Sequence, residues 1–392
     1  MIAFLFPGQG SQRPGMGAPW RDHPSWELVG EASDAAGRDV AALLLDADAA
    51  ELKATRNSQL ATFVMSAVVL DAVERLGVEP AVAAGHSLGE YTALVAAGSL
   101  SFIDGVRLVA ERGDAMQDAA DARPGSMAAV MGLDDDQVEV ACARVDGDVW
   151  VANLNGPGQV VIAGDPAAIA AAGAAAKELG ARKVLPLPVG GAFHTPLMAG
   201  ARDRLRKAIA ATDLRDATFP IVANVDALPH SDAADWAGLL GAQLCSPVRW
   251  RAGLHTLADL GANTFVELGP GTVLTGLCSR TLPGSRTASV SGPDGLEGLL
   301  TELALPAGGS TTTPAGDHLS TADRLVVSPA AGIFTPSPDR EGDDSPIDVG
   351  AVVGAVNGEP VRSPFRGILK RFLAHDGERV TASQPLVWLH SA

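Results

Sequence analysis

Residues 81–97 read Ala-Val-Ala-Ala-Gly-His-Ser-Leu-Gly-Glu-Tyr-Thr-Ala-Leu-Val-Ala-Ala, a small apolar run followed by Gly-x-Ser-x-Gly and a helix-forming run. This order predicts a strand, a sharp turn and a helix, which together make a nucleophile elbow. Gly85 and Gly89 would flank the bend because a Cβ atom there would meet the neighbouring strand or helix. The turn would place the Ser87 hydroxyl beside backbone N–H groups at the helix start, where an acyl oxygen becomes negative. So short a motif also arises by chance in a chain rich in Ala and Gly, so the rest of the sequence has to support it.

Composition restricts the class of protein. The chain has 392 residues, enough for two or three domains, and 47 % of them are hydrophobic, as in globular proteins. A net charge of −17 argues against a nucleic-acid partner and is most simply a source of solubility. Cys142, Cys245 and Cys278 are widely spaced, which predicts reduced thiols and no metal site. With no signal-peptide pattern and no run near the ~20 apolar residues of a membrane span, a cytoplasmic protein is expected.

The first three quarters of the chain predict a large α/β domain interrupted by a small one. A strand at residues 4–6 ends in a Gly-rich loop, which is typical of α/β sheets, and helical patterns follow over 26–76 and 102–116. Between 124 and 189 the pattern becomes β-α-β-β-α-β, the ferredoxin-like order. A helix over 196–211 and strands at 219–223 and 264–268 return to the first domain. We therefore predict an α/β-hydrolase-like domain with a parallel sheet over 1–123 and 190–305, with an inserted ferredoxin-like subdomain over 124–189.

The last part of the chain predicts a separate β domain. Residues 306–322 are small and polar, as in linkers. Residues 323–392 contain short β segments and an internal repeat, because Ser-Pro-Ala-Ala-Gly-Ile at 328–333 recurs as Ser-Pro-Phe-Arg-Gly-Ile at 363–368. Two equivalent halves predict a small, pseudo-symmetric β-sandwich.

A serine nucleophile needs a base, and eight histidines are available. His194 is the candidate, since it follows Gly190-Gly191-Ala192-Phe193 and directly precedes the start of a predicted helix. His86 is adjacent to Ser87 and is expected to point away from it. His255 lies in a helical pattern, and the others lie in polar turns or in the last domain. A purely structural histidine is the commoner role, so this assignment also needs further support.

That support comes from a family resemblance. Six motifs occur in order: Gly8-Gln9-Gly10-Ser11-Gln12, Gly85-His86-Ser87-Leu88-Gly89-Glu90, Arg112-Gly113, Ala192-Phe193-His194, Gln243-Leu244 with Pro247-Val248, and Glu267-Leu268-Gly269-Pro270-Gly271. Together they resemble the malonyl-CoA:acyl-carrier-protein transacylases and related acyltransferase domains. The resemblance covers residues 1 to about 285, and its specificity lies in the whole set of motifs.

The resemblance implies a role for each residue. Ser87 would take the malonyl group from coenzyme A, with His194 as base, and pass it to the phosphopantetheine thiol of an acyl carrier protein. The backbone carbonyl of Gln243 would orient His194. The backbone N–H groups of Gln9 and Leu88 would form the oxyanion hole. This is the reaction of an [acyl-carrier-protein] S-malonyltransferase in fatty acid biosynthesis.

Two further residues would set the acyl specificity. Arg112 would bind the free carboxylate of malonate, because a guanidinium makes a planar, bidentate contact with a carboxylate. The alternative is a helical ion pair with Glu111 or Asp114. In the wider family a Phe at the position of Phe193 accompanies malonyl rather than methylmalonyl groups, since a bulky ring leaves no room for a methyl. The alternative is that Phe193 only packs in the core.

The C-terminal domain resembles the biotinyl/lipoyl hammerhead. Ser328-Pro329, Gly332-Ile333-Phe334, Gly367-Ile368-Leu369, Asp376-Gly377-Glu378-Arg379-Val380 and Gln384-Pro385-Leu386-Val387 carry this resemblance. That family presents a lysine on a hairpin, but here Val356 occupies the position, and Lys370 lies outside the hairpin. We therefore expect no biotin, lipoate or other cofactor. A docking role, with acetyl-CoA carboxylase subunits as the hypothetical partner, is the resulting hypothesis.

Several functions stay open at this point. The same fold could serve a polyketide pathway or another dicarboxylyl donor. A thioester hydrolase would have no use for Arg112, and a non-enzymatic scaffold would have no use for the transferase motifs. An acidic carrier protein would dock on a basic patch, for which Arg182 and Lys183, or the helix with Arg202, Arg204, Arg206 and Lys207, are candidates.

Overall fold

A six-stranded sheet organises the first part of the computed structural model, which describes residues 1–304, 323–337, 345–348, 350–363, 367–381 and 384–390. The described residues form two units, of which the first ends with a helix over Asp294–Ala304 and the second begins with a strand over Asp323–Val327. The first unit is mixed α/β and the second is all-β, which confirms the predicted fold class at this level. The predicted linker lies outside the described residues.

The strands of the central sheet are β1 (Ile2–Phe6), β2 (Val82–Gly85), β7 (Ile221–Val222), β8 (Pro229–His230), β9 (Thr264–Leu268) and β10 (Arg286–Val290). Their order in the sheet is β10-β9-β1-β2-β7-β8. Neighbouring strands from β10 to β7 run parallel, and only β8 is antiparallel to its neighbour.

Alternating residues of β1 divide the core of the first unit into two layers. Phe4 and Phe6 pack in a large cluster on one face, while Ala3 and Leu5 pack in a smaller cluster on the other. This period of two is what a strand buried on both faces requires. The large cluster also includes most of the apolar residues between Leu60 and Val73, which lie within the predicted helical pattern over 26–76.

Helices cover both faces of the sheet. Those before the small subdomain are α1 (Glu27–Ala36), α2 (Val40–Leu45), α3 (Ala49–Lys53), α4 (Thr55–Glu74), α5 (Gly89–Ala96) and α6 (Phe102–Ala122). Those after it are α9 (Ala199–Ala210), α10 (Ala233–Gln243), α11 (Trp250–Asp259), α12 (Val273–Thr281) and α13 (Asp294–Ala304).

The small subdomain follows the predicted β-α-β-β-α-β succession. Its elements are β3 (Ser126–Met131), α7 (Asp135–Ala143), β4 (Val149–Gly156), β5 (Gln159–Gly164), α8 (Pro166–Glu178) and β6 (Lys183–Pro186). The antiparallel sheet has the order β4-β5-β3-β6. Backbone hydrogen bonds of Val248 to Ala152 and Leu154, both 2.9 Å, join it to the large domain beside α11.

Among the elements whose ends differ from the prediction, a strand and a helix differ most. The strand expected over 219–223 is only Ile221–Val222, because Pro220 has no N–H to extend the ladder and Ala223 already donates to Leu228 in a turn. The helix expected over 102–116 continues to Ala122, and its Ser101 side chain caps the first turn by accepting from Asp104 N.

The second unit consists of two four-stranded sheets, β11-β18-β16-β13 and β15-β14-β12-β17. The two repeats place β12 and β16 at equivalent points, each beginning at the repeated glycine, and these strands lie in different sheets. The strands are β11 (Asp323–Val327), β12 (Gly332–Pro336), β13 (Pro346–Ile347), β14 (Val352–Val356), β15 (Glu359–Arg362), β16 (Gly367–Phe372), β17 (Arg379–Val380) and β18 (Pro385–His390).

Within the described ranges, no helix combines the length and apolar character needed to cross a bilayer.

The fold predicts that Gly89 tolerates no side chain. A Cβ atom at Gly89 would lie 2.0 Å from the Phe6 carbonyl oxygen, so Gly89→Ala should lower the free energy of unfolding by about 3 kcal/mol or more. Gly30→Ala is the matched control, because Gly30 is exposed within α1 and a Cβ atom added there would have no neighbour within 4 Å. It should raise the free energy of unfolding by about 0.5–1 kcal/mol. Urea denaturation measures both, and equal midpoints for Gly89→Ala and the parent would contradict the close approach.

Candidate active site

The turn between β2 and α5 has the geometry of a nucleophile elbow. Ser87 has φ 52°, a strained backbone conformation for a residue with a side chain. A Cβ atom on Gly85 would lie 1.9 Å from the carbonyl carbon of Gly89. This confirms the prediction that a side chain does not fit at this side of the bend. His86 N donates to Phe6 O at 2.9 Å and ties the turn to β1. The strain and the crowding together fix the Ser87 hydroxyl at the carboxyl edge of the sheet.

His194 meets Ser87 from a distant part of the sequence. Its Nε2 lies 2.8 Å from Ser87 Oγ, and its Nδ1 lies 2.8 Å from the backbone oxygen of Gln243 at the end of α10. Because a carbonyl oxygen only accepts, Nδ1 carries the proton and Nε2 is left to accept from the serine hydroxyl. His194 itself has φ 61°, so its backbone is also held in a strained conformation.

The environment keeps the His194 ring neutral. Burial lowers its pKa to about 3, with the positive charge of Arg112 adding to the effect, while the hydrogen bond to Gln243 opposes it. Only 4 % of the residue is exposed. A neutral imidazole is the form that accepts a proton from a nucleophile.

Arg112 lies on α6 and points into the same site. Its Nη2 lies 3.1 Å from Ser87 Oγ and 2.9 Å from Gln243 Oε1, and its Nη1 donates to Gln59 Oε1 at 2.7 Å. Arg112 is 1 % exposed, and its guanidinium carbon lies 5.5 Å from the Tyr91 ring centroid. A cation buried beside a nucleophilic oxygen can receive a negatively charged group there.

The alternative ion pairs of Arg112 do not form. Asp114 instead pairs with Arg38 at 2.5 Å and with Arg56 at 3.6 Å. Glu111 pairs with Arg204 at 2.5 Å. Both acidic neighbours in the sequence are therefore engaged by other cations, on the outer side of α6.

Two residues without a predicted role complete the site. Asn224 follows β7, and its Oδ1 accepts from Ser87 N at 2.6 Å while its Nδ2 donates to Gly85 O at 2.7 Å. Glu90, fully buried in the first turn of α5, accepts from Asn224 N at 2.7 Å and from Gln243 Nε2 at 2.6 Å. The position of Asn224 directly after a strand of the parallel sheet is the signal that could have identified it.

A cavity of about 200 Å³ opens in front of Ser87 and His194. Gln9 and Phe193 both line this cavity, to which the large domain and the small subdomain both contribute residues. Leu88 is the N-cap of α5, which places its N–H at the positive end of that helix. The lining comprises Gly8, Gln9, Gly10, Ser11, His86, Ser87, Met116, Met127, Asn153, Asn155, Val161, Leu187, Val189, Phe193, His194, Val273, Leu274 and Leu277.

His86 contacts a different set of residues from its neighbour Ser87. Its Nε2 lies 2.8 Å from Asn155 Oδ1 on β4, and its ring packs edge-on against Trp250 at 5.3 Å. Burial lowers its pKa. His86 therefore links the elbow to the small subdomain.

Comparison with known proteins agrees with this geometry. The acyl transferase domain family matches residues 3–293. The malonyl CoA-acyl carrier protein transacylase of Bacillus subtilis is 41 % identical over 301 residues, which cover 76 % of this chain and 95 % of that protein. The Escherichia coli K12 protein of the same name is 41 % identical over 304 residues, covering 76 % of this chain and 98 % of that protein.

Solved structures of malonyltransferases are also similar to this chain. An acyl-carrier-protein S-malonyltransferase from Burkholderia pseudomallei is 42 % identical with a TM-score of 0.74, covering 76 % of this chain and 99 % of that one. A malonyl transacylase solved in complex with a holo type II PKS acyl carrier protein is 38 % identical with a TM-score of 0.74, again covering 76 % and 99 %.

Proposed function

The chain belongs to the acyl transferase family that includes the malonyl CoA-acyl carrier protein transacylases, and on this premise we propose that it moves malonyl from malonyl-CoA to the phosphopantetheine thiol of an acyl carrier protein. One observation carries the proposal. Ser87 Oγ lies within 3.1 Å of both the neutral base His194 and the buried cation Arg112. A nucleophile, a base and a carboxylate receptor therefore meet at one atom.

The reaction proceeds in two half-reactions. Ser87 Oγ attacks the thioester carbon as its proton passes to His194 Nε2, and the C–S bond then breaks as that proton passes to the coenzyme A sulfur. In the second half, His194 takes the proton of the phosphopantetheine thiol, whose sulfur attacks the malonyl-serine ester. The proton returns to Ser87 Oγ when the ester bond breaks. The backbone N–H groups of Gln9 and Leu88 hold the oxyanion in both halves.

Arg112 and Phe193 select the acyl group. Arg112 Nε has no hydrogen-bond partner in the described part of the chain, although it is buried, so the guanidinium has an unused donor. A free malonyl carboxylate supplies the missing acceptor. Phe193, which is 5 % exposed and lines the cavity, restricts space beside the acyl α-carbon. This supports malonyl over both acetyl and methylmalonyl groups.

The pathway has two candidates. Fatty acid synthesis is the first, as the family resemblance of the sequence implies. Polyketide synthesis is the second, favoured by the likeness to a transacylase that was solved with a type II PKS carrier. A hydrolase is less favoured, because water as acceptor gives no role to a buried carboxylate receptor.

Replacing Arg112 tests the acyl selection. Arg112→Ala should lower malonyl-serine formation about 100-fold or more, since each charge-assisted hydrogen bond contributes about 1.5–3 kcal/mol. It should also accept acetyl-CoA better than the parent does. Intact-protein mass after mixing with each thioester measures both, with Ser87→Ala as the blank.

Arg107→Ala is the matched control on the same helix, because Arg107 is exposed and pairs only with Asp104 among the described residues. It should keep the parental preference for malonyl. Unchanged discrimination in Arg112→Ala would remove Arg112 from the acyl site. Release of free malonate without any acyl-enzyme would favour the hydrolase.

The carrier protein docks on the basic pair Arg182 and Lys183. The competing candidates on α9 are partly neutralised, since Arg204 pairs with Glu111 and Asp118, and Arg202 pairs with Asp203. Lys183 begins β6, and the chain reaches the cavity-lining Leu187 four residues later, about 13 Å along an extended strand. An acidic carrier on this pair would lie beside the cavity.

Charge reversal distinguishes docking on Arg182 and Lys183 from docking on α9. The double variant Arg182→Glu, Lys183→Glu should raise the KM for the acyl carrier protein about tenfold at low ionic strength, with a smaller effect as salt rises. The matched reversal on α9, Arg206→Glu with Lys207→Glu, should change the KM for the acyl carrier protein little. Steady-state transfer assays measure both, and the opposite ranking would move the docking site to α9.

The second unit carries no prosthetic group and serves for docking. Val356 is 3 % exposed and pairs with Phe334 and Glu359, and the hairpin tip consists of Asn357 and Gly358, neither of which has an amine to acylate. Lys370 lies on β16, away from this tip in the sequence. The partner hypothesis is acetyl-CoA carboxylase, the source of malonyl-CoA.

Two measurements check this unit. The intact mass of the full chain, purified from a host that biotinylates a control domain, should equal the sequence mass. A mass gain of biotin or lipoate would contradict the absence of a prosthetic group. Affinity purification of the full chain should recover carboxylase subunits, and recovery of none would remove that partner.

A further inference from the structure

The side chain of Gln243 connects the two functional halves of the site. Its Nε2 donates to Ser87 O at 2.8 Å and to Glu90 Oε2 at 2.6 Å, and its Oε1 accepts from Arg112 at 2.9 Å. A flipped amide would set oxygen against two oxygens and nitrogen against a guanidinium. The network therefore permits one orientation only.

Glu90 determines the orientation of the Gln243 amide, and it also supports the backbone at Ser87 through Asn224. Its second oxygen accepts from Asn224 N at 2.7 Å, and the Asn224 side chain in turn accepts from Ser87 N at 2.6 Å. One buried carboxylate thus supports the residue that fixes the strained Ser87 backbone and the residue that fixes Arg112. Like Arg112, Glu90 is absent from the cavity lining, and among the described residues its carboxylate makes no hydrogen bond to Ser87 Oγ or His194.

We infer that Glu90 is a positioning residue whose two carboxylate oxygens set both the aim of the Ser87 nucleophile and the acyl selectivity of Arg112. The inference rests on the proposed transfer reaction. It adds a residue that acts on both acylation and specificity through Asn224 and Gln243.

The chemistry of the two contacts requires an ionised carboxylate. Both partners are N–H donors, so both oxygens of Glu90 must accept. A glutamine side chain, which has the same shape, offers one oxygen and one NH₂ group, and the NH₂ would face a donor in either orientation. A protonated glutamate meets the same conflict at its hydroxyl. In either case Gln243 loses the partner that prevents its amide from flipping.

The charges around Glu90 place this requirement near neutral pH. Burial raises the pKa of Glu90 to about 7, while the hydrogen bonds from Asn224 and Gln243 and the charge of Arg112 oppose that rise. Asp226, in the turn after β7, raises the pKa further. Tyr91, beside Glu90 on α5, stays neutral, because burial raises its pKa to about 12. His194 does not titrate in this range.

Glu90→Gln tests the inference through two measurements that a purely structural role would leave unchanged. The rate of malonyl-serine formation should fall on the order of 100-fold, the loss that follows from misplacing a reacting group by about 1 Å. The ratio of malonyl to acetyl acylation should fall about tenfold or more, since Arg112 loses one charge-assisted hydrogen bond. Glu90→Asp, which keeps two accepting oxygens, should recover part of both.

The control is Glu267→Gln. Glu267 is also fully buried, and both of its oxygens accept, from Leu274 N at 3.1 Å and from Thr275 N at 2.7 Å. Leu274 lines the cavity, but among the described residues Glu267 makes no side-chain hydrogen bond to Ser87, His194, Arg112 or Gln243. Both variants should lower the stability of the protein, because each sets an NH₂ group against a buried N–H donor. Glu267→Gln should nevertheless leave the malonyl-to-acetyl ratio at the parental value. An equal change of that ratio in both variants would overturn the inference.

The pH dependence of the parent gives a measurement that does not require the variant to fold. As the pH falls through about 7, protonation of Glu90 should lower the parental rate of malonyl-serine formation, and this acid limb should be absent from any folded Glu90→Gln. A parental rate that is flat from pH 8 to pH 5 would overturn the inference. Should the parent form no malonyl-serine at any pH, the proposed function itself would fail, which is a different result.

Discussion

The close approach of Gly89 to the carbonyl group of Phe6 is the constraint on which the site depends. With no Cβ at Gly89, the start of α5 can lie directly against the end of β1, and His86 N can donate to the same carbonyl at 2.9 Å. The Gly-rich loop after β1 and the first turn of α5 then face one space. In the proposed mechanism, Gln9 and Leu88, which lie 79 residues apart in the sequence, bind the same oxyanion.

Sheet order explains how the remaining groups reach that space. Because β1, β2 and β7 are adjacent and parallel, the residues that follow them lie at one edge, and these include Gln9, Ser87 and Asn224. His194 and Gln243 come from the region after the small subdomain, and the hydrogen bond of His194 Nδ1 to the Gln243 carbonyl joins them. A backbone carbonyl here takes the place that an aspartate holds in a Ser-His-Asp triad.

Features that depend on residues close together in the sequence could be predicted from it. Features that depend on the packing of distant elements could not. The elbow could be predicted because the two glycines, the serine and the apolar flanks lie within 17 residues. Ser87 and His194 were identified by motif and meet at 2.8 Å. The hydrogen bonds of the Asn224 side chain with Ser87 N and Gly85 O could not be predicted, because they depend on the pairing of β7 with β2. The role of the Gln243 side chain depends on Arg112 and Glu90, which lie on two other helices, so no spacing indicates it.

A neutral amide between two buried charges is a reason why this site can both fold and bind an anion. A direct ion pair between Arg112 and Glu90 would neutralise the guanidinium and leave it little attraction for a substrate carboxylate. The Gln243 amide instead gives each charge a hydrogen-bond partner while it keeps them apart. Arg112 therefore keeps its charge, with Nη2 beside Ser87 Oγ and with Nε lacking a hydrogen-bond partner among the described residues. Burial makes that charge act over a short distance with little screening. In the proposed function, selectivity for a dicarboxylyl group therefore depends on how the Arg112 guanidinium is held as well as on its presence.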